Sequence, residues 1–420
     1  MRMKLWMIPM FYAVGTMLAG IVIPRMETYF FPVRHSDISP AAAEVYLSTT
    51  AAGMMALTGI VFSIAFVMVQ FSAVAYSPRL VAWFGRDPTM FHSMGVFIST
   101  FLYSLATILW TDRSGSGLVP YYSIRIVLFL LLASMVMFAR LVQRLADLQI
   151  GNVLQFIGAK GRAAFSEMFP PAGAPAIDAP VGPPPELGQA MQVLRYDGEP
   201  RSVVGFNIPA LLQLARNGGA VIVLDCAVGD TLVKDASVLR VHGTAAGLPE
   251  AALLKALSLE RERTFDQDPK YPLRLLVDIA IKALSPAIND PTTAVQALDQ
   301  IEDLLRRLAV CRLGTGRAMD ADGVLRVIFP MPTWSDYLSL AFDEIRQFGA
   351  TSVQVMRRLR SALVGLAETA GTPARTAQVV AYLKHLDLVV EQSQLDPADQ
   401  AMARREDRQG LGLSRGQVVS

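Results

Sequence analysis

The sequence FDQDPKYPLRLLVDIAIKALSPAINDPTTAVQALDQIEDLLRRL, residues 265–308, predicts two helices joined at a sharp turn. Pro272 suits the first position of the first helix, where a missing N–H has no intrahelical partner to lose. Pro286 cannot continue that helix, so the chain must turn. Asp290 followed by Pro291 then predicts an N-cap and the first turn of the second helix. The polar residues at this turn form the candidate cytoplasmic polar site: Asn289, Asp290, Thr292 and Thr293.

Two further stretches join this one in resembling a known family. They are FSIAFVMVQFSAVAYSPRL at residues 62–80 and FISTFLYSL at residues 97–105. Together the stretches resemble predicted bacterial membrane proteins known as domain of unknown function 2254, and the resemblance extends over nearly the whole chain. It implies four N-terminal membrane spans and a cytoplasmic C-terminal region. It implies no activity, substrate or catalytic residue.

The composition separates this chain from ordinary soluble proteins. Of 420 residues, 52% are hydrophobic and only 18% are charged. The net charge of +2 indicates no polyanionic partner such as nucleic acid. Cys226 and Cys311 lie far apart without a CxxC pattern, which predicts two reduced thiols. The histidines do not cluster and no metal-binding or phosphate-binding motif is present, so no cofactor is expected.

Four apolar segments are long enough to cross a bilayer. They are residues 5–23, 45–70, 94–110 and 119–139. The first is too long for a signal peptide and no A-x-A cleavage site follows it, which predicts an uncleaved anchor. The sequence therefore predicts an α-helical integral membrane protein with four transmembrane helices in residues 1–150.

Basic residues near the spans predict the orientation, because they favour the cytoplasmic side. With four spans, both termini share one side. That side holds Arg2, Lys4, Arg79, Arg86, Arg140 and Arg144. The opposite side holds Arg25, Arg34, Arg113 and Arg125. We therefore expect a multi-pass protein of the bacterial inner membrane with cytoplasmic N- and C-termini.

Arg125 is the candidate intramembrane charge. Fourteen residues separate it from Arg140, which amounts to about 21 Å of helix. The hydrocarbon layer is about 30 Å thick, so Arg125 is expected to start inside it. Two interpretations stay open. The side chain snorkels to the outer headgroups, or it faces a bundle interior or an aqueous path.

The second span carries small and polar residues along one side at helical spacing. This candidate stripe consists of Thr49, Gly53, Ala56, Ser63 and Gln70. Ile60 and Val67 interrupt it. One interpretation is close helix packing, because small residues let helices approach in lipid. The other is the wall of a pore or cavity in an oligomer. A homo-oligomer is accordingly the expected assembly.

The C-terminal part of the chain predicts an α+β cytoplasmic region. Its expected divisions are a helical extension with a Pro-rich linker at 151–186, a small β-module at 187–245, a mostly helical domain at 246–410 and a disordered tail at 411–420. Asp197 and Gly198 predict a turn between two strands, and Asp322 and Gly323 predict another. Thr333 followed by Asp336 predicts a capping box at a later helix.

Two segments of this region carry more specific expectations. TLVKDASVLRV, residues 231–241, is similar to half of a biotinyl or lipoyl barrel. The lysine-bearing hairpin of that family is absent, so covalent biotin or lipoate is not expected. ERERTFDQD, residues 260–268, is strongly charged and is expected to lie on a solvated surface.

Three classes of function remain open. The favoured one is an oligomeric ion channel or transporter with a cytoplasmic regulatory domain, because of the stripe, Arg125 and the large C-terminal region. A membrane-anchored sensor or scaffold is the second, and an unrecognised membrane-bound enzyme the third. The candidate acids for catalysis are Asp278, Asp290, Asp299, Glu302 and Asp303. Helical ion pairs such as Glu302–Arg306 and Asp303–Arg307 also explain them, so no catalytic residue is predicted.

Overall fold

A computed structural model describes residues 5–30, 38–75, 88–111, 113, 119–146, 149–169, 186–243 and 247–412, without the side chains of residues 28, 68, 69, 71–75, 145 and 146. The chain divides into two compact units, Met1–Gln149 and Ile150–Ser420. Several features predicted from the sequence lie outside the described residues. They are the basic residues Arg2, Lys4, Arg34, Arg79 and Arg86, the linker at 170–185 and the tail at 413–420.

The N-terminal unit contains four helices that are long and apolar enough to cross a membrane. They are α1 (Met7–Phe30), α2 (Pro40–Ala75), α3 (Pro88–Ile108) and α4 (Tyr121–Ala146). Each predicted span overlaps one of these helices. α3 begins at Pro88, earlier than the predicted residue 94. In its first turns, the exposed side chain of His92 forms a hydrogen bond with the hydroxyl of Tyr12 of α1 at 3.2 Å.

α3 is the central helix of the N-terminal unit and contacts α1, α2 and α4. Its buried face is mostly small or hydroxyl-bearing and includes Ser93, Gly95, Ser99, Thr100, Ser104 and Thr107. Small residues let helices in a membrane approach closely. A Cβ added at Gly20 of α1 would lie 2.5 Å from the Cβ of Ala106. The ring of Tyr12 likewise packs directly on Gly95.

The C-terminal unit combines two sheets with a layer of helices. The strands are β1 (Gln192–Arg195), β2 (Arg201–Phe206), β3 (Val221–Leu224), β4 (Thr231–Leu232), β5 (Ser237–His242), β6 (Leu257–Glu260), β7 (Arg317–Met319) and β8 (Leu325–Ile328). The helices are α5 (Ile150–Met168), α6 (Ile208–Asn217), α7 (Glu250–Lys255), α8 (Lys270–Ala283), α9 (Pro291–Ala309), α10 (Trp334–Phe348), α11 (Val353–Thr369), α12 (Pro373–Glu391) and α13 (Pro397–Ala403). One sheet has the order β1-β5-β3-β8-β7 and the other β4-β2-β6.

Strand pairing differs from the sequence expectation. β1 pairs with β5, whereas β2 pairs with β4 and β6, so the turn at Asp197 and Gly198 connects strands of different sheets. The sheets also extend beyond residues 187–245, because β6, β7 and β8 come from the region predicted to be mostly helical. β7 and β8 do form the expected hairpin around Gly323. Segment 231–241 supplies β4 and β5 to separate sheets.

A shared apolar core explains this pairing. Leu257 of β6 and Val327 of β8 are buried in the same cluster as Val203 and Ile222. β8 runs parallel to β3. The two strands are distant in the sequence, so no turn motif predicts that they pair. Burial of these strands in one core therefore decided which of them pair.

The predicted helix pair at 265–308 is present and central to the helical layer. α8 begins at Lys270 rather than at Pro272, which lies buried in the first turn. α9 begins at Pro291 with Asp290 as its N-cap, as predicted. α9 contacts α5, α8 and α11. Its fully buried side chains include Leu298, Ile301, Leu305 and Leu308.

Candidate functional site

The predicted stripe of α2 faces away from the other helices of its unit. Thr49, Gly53, Ala56, Ser63 and Gln70 are all exposed. A Cβ added at Gly53 would meet no described atom of another helix within 4 Å. The buried side of α2 carries Leu47, Met54 and Val61 together with the smaller Ala43, Thr50 and Ala51. The described residues of a single chain therefore leave the stripe uncovered.

Arg125 is exposed and bends back towards the start of α4. Its Nη1 donates to the carbonyl oxygen of Tyr121 at 3.3 Å. Its Cζ lies 3.4 Å from the centroid of the Tyr121 ring. This direction along the helix favours the snorkelling interpretation over a charge that faces the interior of the unit.

The polar turn at residues 289–293 is a helix cap. Asp290 Oδ1 accepts from the backbone N–H of Thr293 at 3.1 Å, and Oδ2 accepts from the Thr293 hydroxyl at 2.6 Å. Asn289 has a φ of 47°, and both Asn289 and Thr292 are exposed. Both carboxylate oxygens of Asp290 are thus engaged within the turn. Among the described residues, no group of three or more His, Cys, Asp or Glu side chains could hold a metal ion.

The acidic residues considered for catalysis are held in ion pairs. The predicted pairs Glu302–Arg306 and Asp303–Arg307 are present at 2.7 and 3.1 Å. Arg358 of α11 bridges Asp299 and Glu302 at 2.8 and 2.6 Å. Asp278 is paired with Arg274 on the same helix. These contacts give each carboxylate a structural partner between or along helices.

Glu27 is a buried acid that no sequence pattern pointed to. It is 6% exposed and lies near the end of α1. Its Oε1 accepts from the backbone N–H of Tyr122 at 2.7 Å, and its Oε2 accepts from the N–H of Ser123 at 3.2 Å. A carboxylate at the first N–H groups of a helix is stabilising. Glu27 therefore caps α4 from another helix.

Further hydrogen bonds tie α3 to its neighbours. The Thr16 hydroxyl of α1 donates to Ser99 at 2.7 Å. The hydroxyl groups of Thr100 and Ser134 lie 2.9 Å apart and join α3 to α4. These hydroxyl groups thus satisfy one another between helices, as is usual in membrane bundles.

The C-terminal unit contains a cavity of about 380 Å³. It lies where β2 and β8 end and where α8 and α10 begin. Its polar lining residues are Gln267, Asp268, Lys270 and Asp336. Its apolar lining includes Phe206 and Phe329, whose rings meet edge to face at 6.5 Å. The size falls within the range of small-molecule pockets.

Asp268 corrects the expectation that segment 260–268 is solvated. Glu260, Arg261 and Glu262 are exposed, but Asp268 is only 1% exposed. The segment folds inward because Arg263 compensates the charge: its Nε donates to Asp268 Oδ2 at 2.8 Å, and its Nη2 lies 2.6 Å from the same oxygen in an ion pair.

The surroundings of Asp268 are closely packed. Gly229 has a φ of 96°, and a Cβ there would lie 2.8 Å from Arg263 Nη2, so glycine lets the ion pair approach the backbone. Asp268 Oδ1 has no hydrogen-bond partner among the described residues. Burial raises the pKa of the Asp268 carboxyl above its ordinary value, although Arg263 opposes that shift.

Four candidate spans followed by a unit of mixed sheets and helices define a multi-span membrane protein with a large C-terminal domain. The profile of a family described as predicted membrane protein, DUF2254, matches residues 2–364. The chain belongs to this family, which confirms the resemblance seen in the sequence.

Similar proteins occur in mycobacteria. Uncharacterized proteins of Mycobacterium tuberculosis and Mycobacterium bovis are each 25% identical to this chain over 415 residues, which cover 94% of this chain and 77% of the relative. No solved structure matches the chain.

Proposed function

We propose that this protein is an oligomeric ion channel or transporter of the bacterial inner membrane, with the C-terminal unit as a cytoplasmic regulatory domain. The uncovered stripe of α2 carries this proposal. A helix that faces only lipid gains nothing from a side of small and polar residues, so another surface or water must cover it. Formation of a homo-oligomer would cover the stripe with a second copy of the chain.

The packing inside the N-terminal unit favours an ion path between copies of the chain rather than through a single copy. The small face of α3 is filled by close contacts such as that between Tyr12 and Gly95. The hydroxyl of Thr100 is already paired with that of Ser134. A polar route through a single copy would have to break these contacts. A route lined by α2 of several copies leaves them intact.

Reconstitution tests the proposal. The full chain with Cys311→Ser is purified in detergent, its oligomeric state is measured by light scattering, and ion flux is measured in liposomes. We expect an oligomer with flux that falls when Ser63→Cys or Gln70→Cys reacts with a charged, water-soluble thiol reagent. Phe62→Cys is the matched control, because Phe62 is exposed beside the stripe and is expected to face lipid.

Two outcomes separate packing from conduction. An intact oligomer without flux, in which cysteines at positions 63 and 70 stay unreactive, contradicts conduction and leaves close packing as the role of the stripe. Ala56→Leu then provides a second measurement. It breaks assembly if α2 packs closely against a neighbour, because close approach of the backbones is lost.

A membrane-anchored sensor without transport is the second candidate. The cavity beside Asp268 favours it, because a ligand-binding domain attached to membrane helices needs such a space. If the protein is such a sensor, its C-terminal unit binds a ligand while the reconstituted protein shows no ion flux. The enzyme alternative has less support, since Asp278, Asp299, Glu302 and Asp303 are ion-paired.

A further inference from the structure

We propose that the cavity beside Asp268 binds a small uncharged molecule with an aromatic or apolar body and a carbonyl oxygen, which accepts a hydrogen bond from the side-chain amide of Gln267. The inference concerns the C-terminal unit alone and holds whether or not the protein conducts ions. It rests on the cavity itself, on an amide held at its wall and on lining charges that favour neither sign.

The side-chain amide of Gln267 is fixed in one orientation. Its Oε1 accepts from the backbone N–H of Phe206 at 3.1 Å. Because only the oxygen of an amide can accept, this bond decides which end is which and leaves Nε2 as a donor. The amide also lies over Gly205, where an added Cβ would be 3.1 Å from its Cδ. Glycine at that position leaves room for the amide.

The backbone of Gln267 supports a functional role for this amide. Its φ is 52°, a left-handed value that is uncommon for a residue with a long side chain. Such conformations persist where the surrounding structure holds them, and they concentrate at functional sites. Gln267 lines the cavity and is exposed, so a ligand can reach it. No described residue accepts a hydrogen bond from its Nε2.

The walls of the cavity define the body of the ligand. Phe206 and Phe329 contribute aromatic surface, and Ile208, Val228 and Met331 contribute aliphatic and thioether surface. Covering such surface with an apolar body removes it from water, which is favourable. The volume of about 380 Å³ accommodates a ligand with one ring system rather than a polymer.

The charges of the lining favour an uncharged ligand. The side chain of Asp268 is 2% exposed and is paired with Arg263, so it offers no charge to a molecule in the cavity. The two charges that remain accessible are the carboxylate of Asp336 and the ammonium of Lys270. They are opposite in sign and favour neither a cation nor an anion. A charged ligand would lose hydration without gaining a compensating partner.

Four probes built on one ring separate these preferences. Acetophenone carries the carbonyl oxygen, α-methylstyrene has a CH2 group in its place, and benzamidine and benzoate carry opposite charges. The full chain is titrated calorimetrically in detergent, and a titration of detergent alone is subtracted. Acetophenone is expected to bind at least about fivefold more tightly than either charged probe.

Gln267→Glu tests the donor. This variant keeps an oxygen for the N–H of Phe206 but has no NH2 group. It is expected to lower acetophenone affinity about tenfold and α-methylstyrene affinity less than about twofold, because only acetophenone accepts a hydrogen bond. Benzamidine should bind this variant more tightly than it binds the wild type, since the new carboxylate accepts from its N–H groups. Gln378→Glu makes the same change at an exposed position of α12 and should leave all four affinities unchanged.

Val228→Phe tests the cavity independently, also if Gln267→Glu fails to fold. Its larger side chain fills the space, so we expect it to abolish acetophenone binding. Tighter binding of benzoate or benzamidine than of acetophenone to the wild type overturns the proposal. Equal losses of acetophenone and α-methylstyrene affinity in Gln267→Glu overturn it too. The same holds if acetophenone does not bind at millimolar concentration, or if it binds Val228→Phe as tightly as the wild type.

Discussion

The carboxylate of Glu27 accepts a hydrogen bond from the hydroxyl of Ser123 at 3.0 Å and joins the end of α1 to the start of α4. The same carboxylate accepts the backbone N–H groups of Tyr122 and Ser123. The first N–H groups of a helix have no intrahelical acceptor. One helix of the N-terminal unit therefore completes the hydrogen bonding of another.

Removing this interhelical cap should weaken the N-terminal unit. Glu27→Ala is expected to destabilise it by about 1–2 kcal/mol, because it leaves buried N–H groups unpaired. Glu27→Gln should cost less, since its amide oxygen still accepts. The measurement is the Tm of the full chain in detergent. Glu44→Ala, at an exposed position of α2, is the control, and an equal Tm for both alanine variants would contradict the cap.

Loss of the helix cap at Asp290 should likewise destabilise the C-terminal unit. Asp290→Ala removes both hydrogen bonds to Thr293 and should destabilise the unit by about 1 kcal/mol. Thr292→Ala changes an exposed neighbour and should have little effect. Denaturant unfolding of the full chain, followed by tryptophan fluorescence, measures the difference. An unchanged midpoint for Asp290→Ala would show that the cap contributes nothing.

The pair between Arg274 of α8 and Glu344 of α10 predicts a dependence on pH. Bidentate hydrogen bonds from Arg274, at 2.5 and 2.8 Å, lower the pKa of Glu344. A carboxyl with a lowered pKa in the folded state stabilises the fold above its unfolded pKa of about 4.3, and that contribution is lost as the pH falls through the folded pKa.

Glu344→Gln is therefore expected to be less stable than the wild type at neutral pH, and the gap should close in acid. The side chain of Glu344 is 41% exposed, so solvent screening keeps the difference below about 1 kcal/mol. Glu391→Gln is the control, because Glu391 is 67% exposed and 3.9 Å from Arg404. Urea midpoints at several pH values measure both variants, and a gap independent of pH would count against the pair.

The two thiols should differ in reactivity. Burial raises the pKa of Cys226 to about 12, so it carries almost no thiolate at neutral pH, and thiolate is the reactive form. Cys311 is half-buried, so a maleimide should label it first. Mass spectrometry after brief labelling of the folded chain checks the order. Rapid labelling of Cys226 without denaturant would mean that the segment around Cys226 opens readily.

The orientation is testable with reporter fusions. Basic residues near the spans are more numerous on the side of both termini, which favours a cytoplasmic C-terminus. A C-terminal alkaline phosphatase fusion should be inactive in a bacterial host, and a fluorescent protein fusion should be bright. An active phosphatase would reverse the orientation proposed for both units.

The sequence by itself determined the features that depend on neighbours along the chain. Hydropathy located the four candidate spans, because each needs only one continuous apolar segment. Asp290 and Pro291 marked the start of α9, and Thr333 with Asp336 formed the predicted capping box. The ion pair of Glu302 with Arg306 followed from helical spacing. In each case the partners lie within four residues, where local geometry dictates the contact.

Only the tertiary structure decided the contacts between distant segments. The partners of Glu27 lie 95 and 96 residues away in the sequence. β8 pairs with β3 although α8 and α9 lie between the two strands in the sequence. Segment 260–268 looked solvated because burying its charges alone would be costly. Asp268 is buried nonetheless, since folding places Arg263 against one of its oxygens. Whether a charged side chain can be buried depends on the partners that the fold places beside it, and a local sequence pattern does not contain that information.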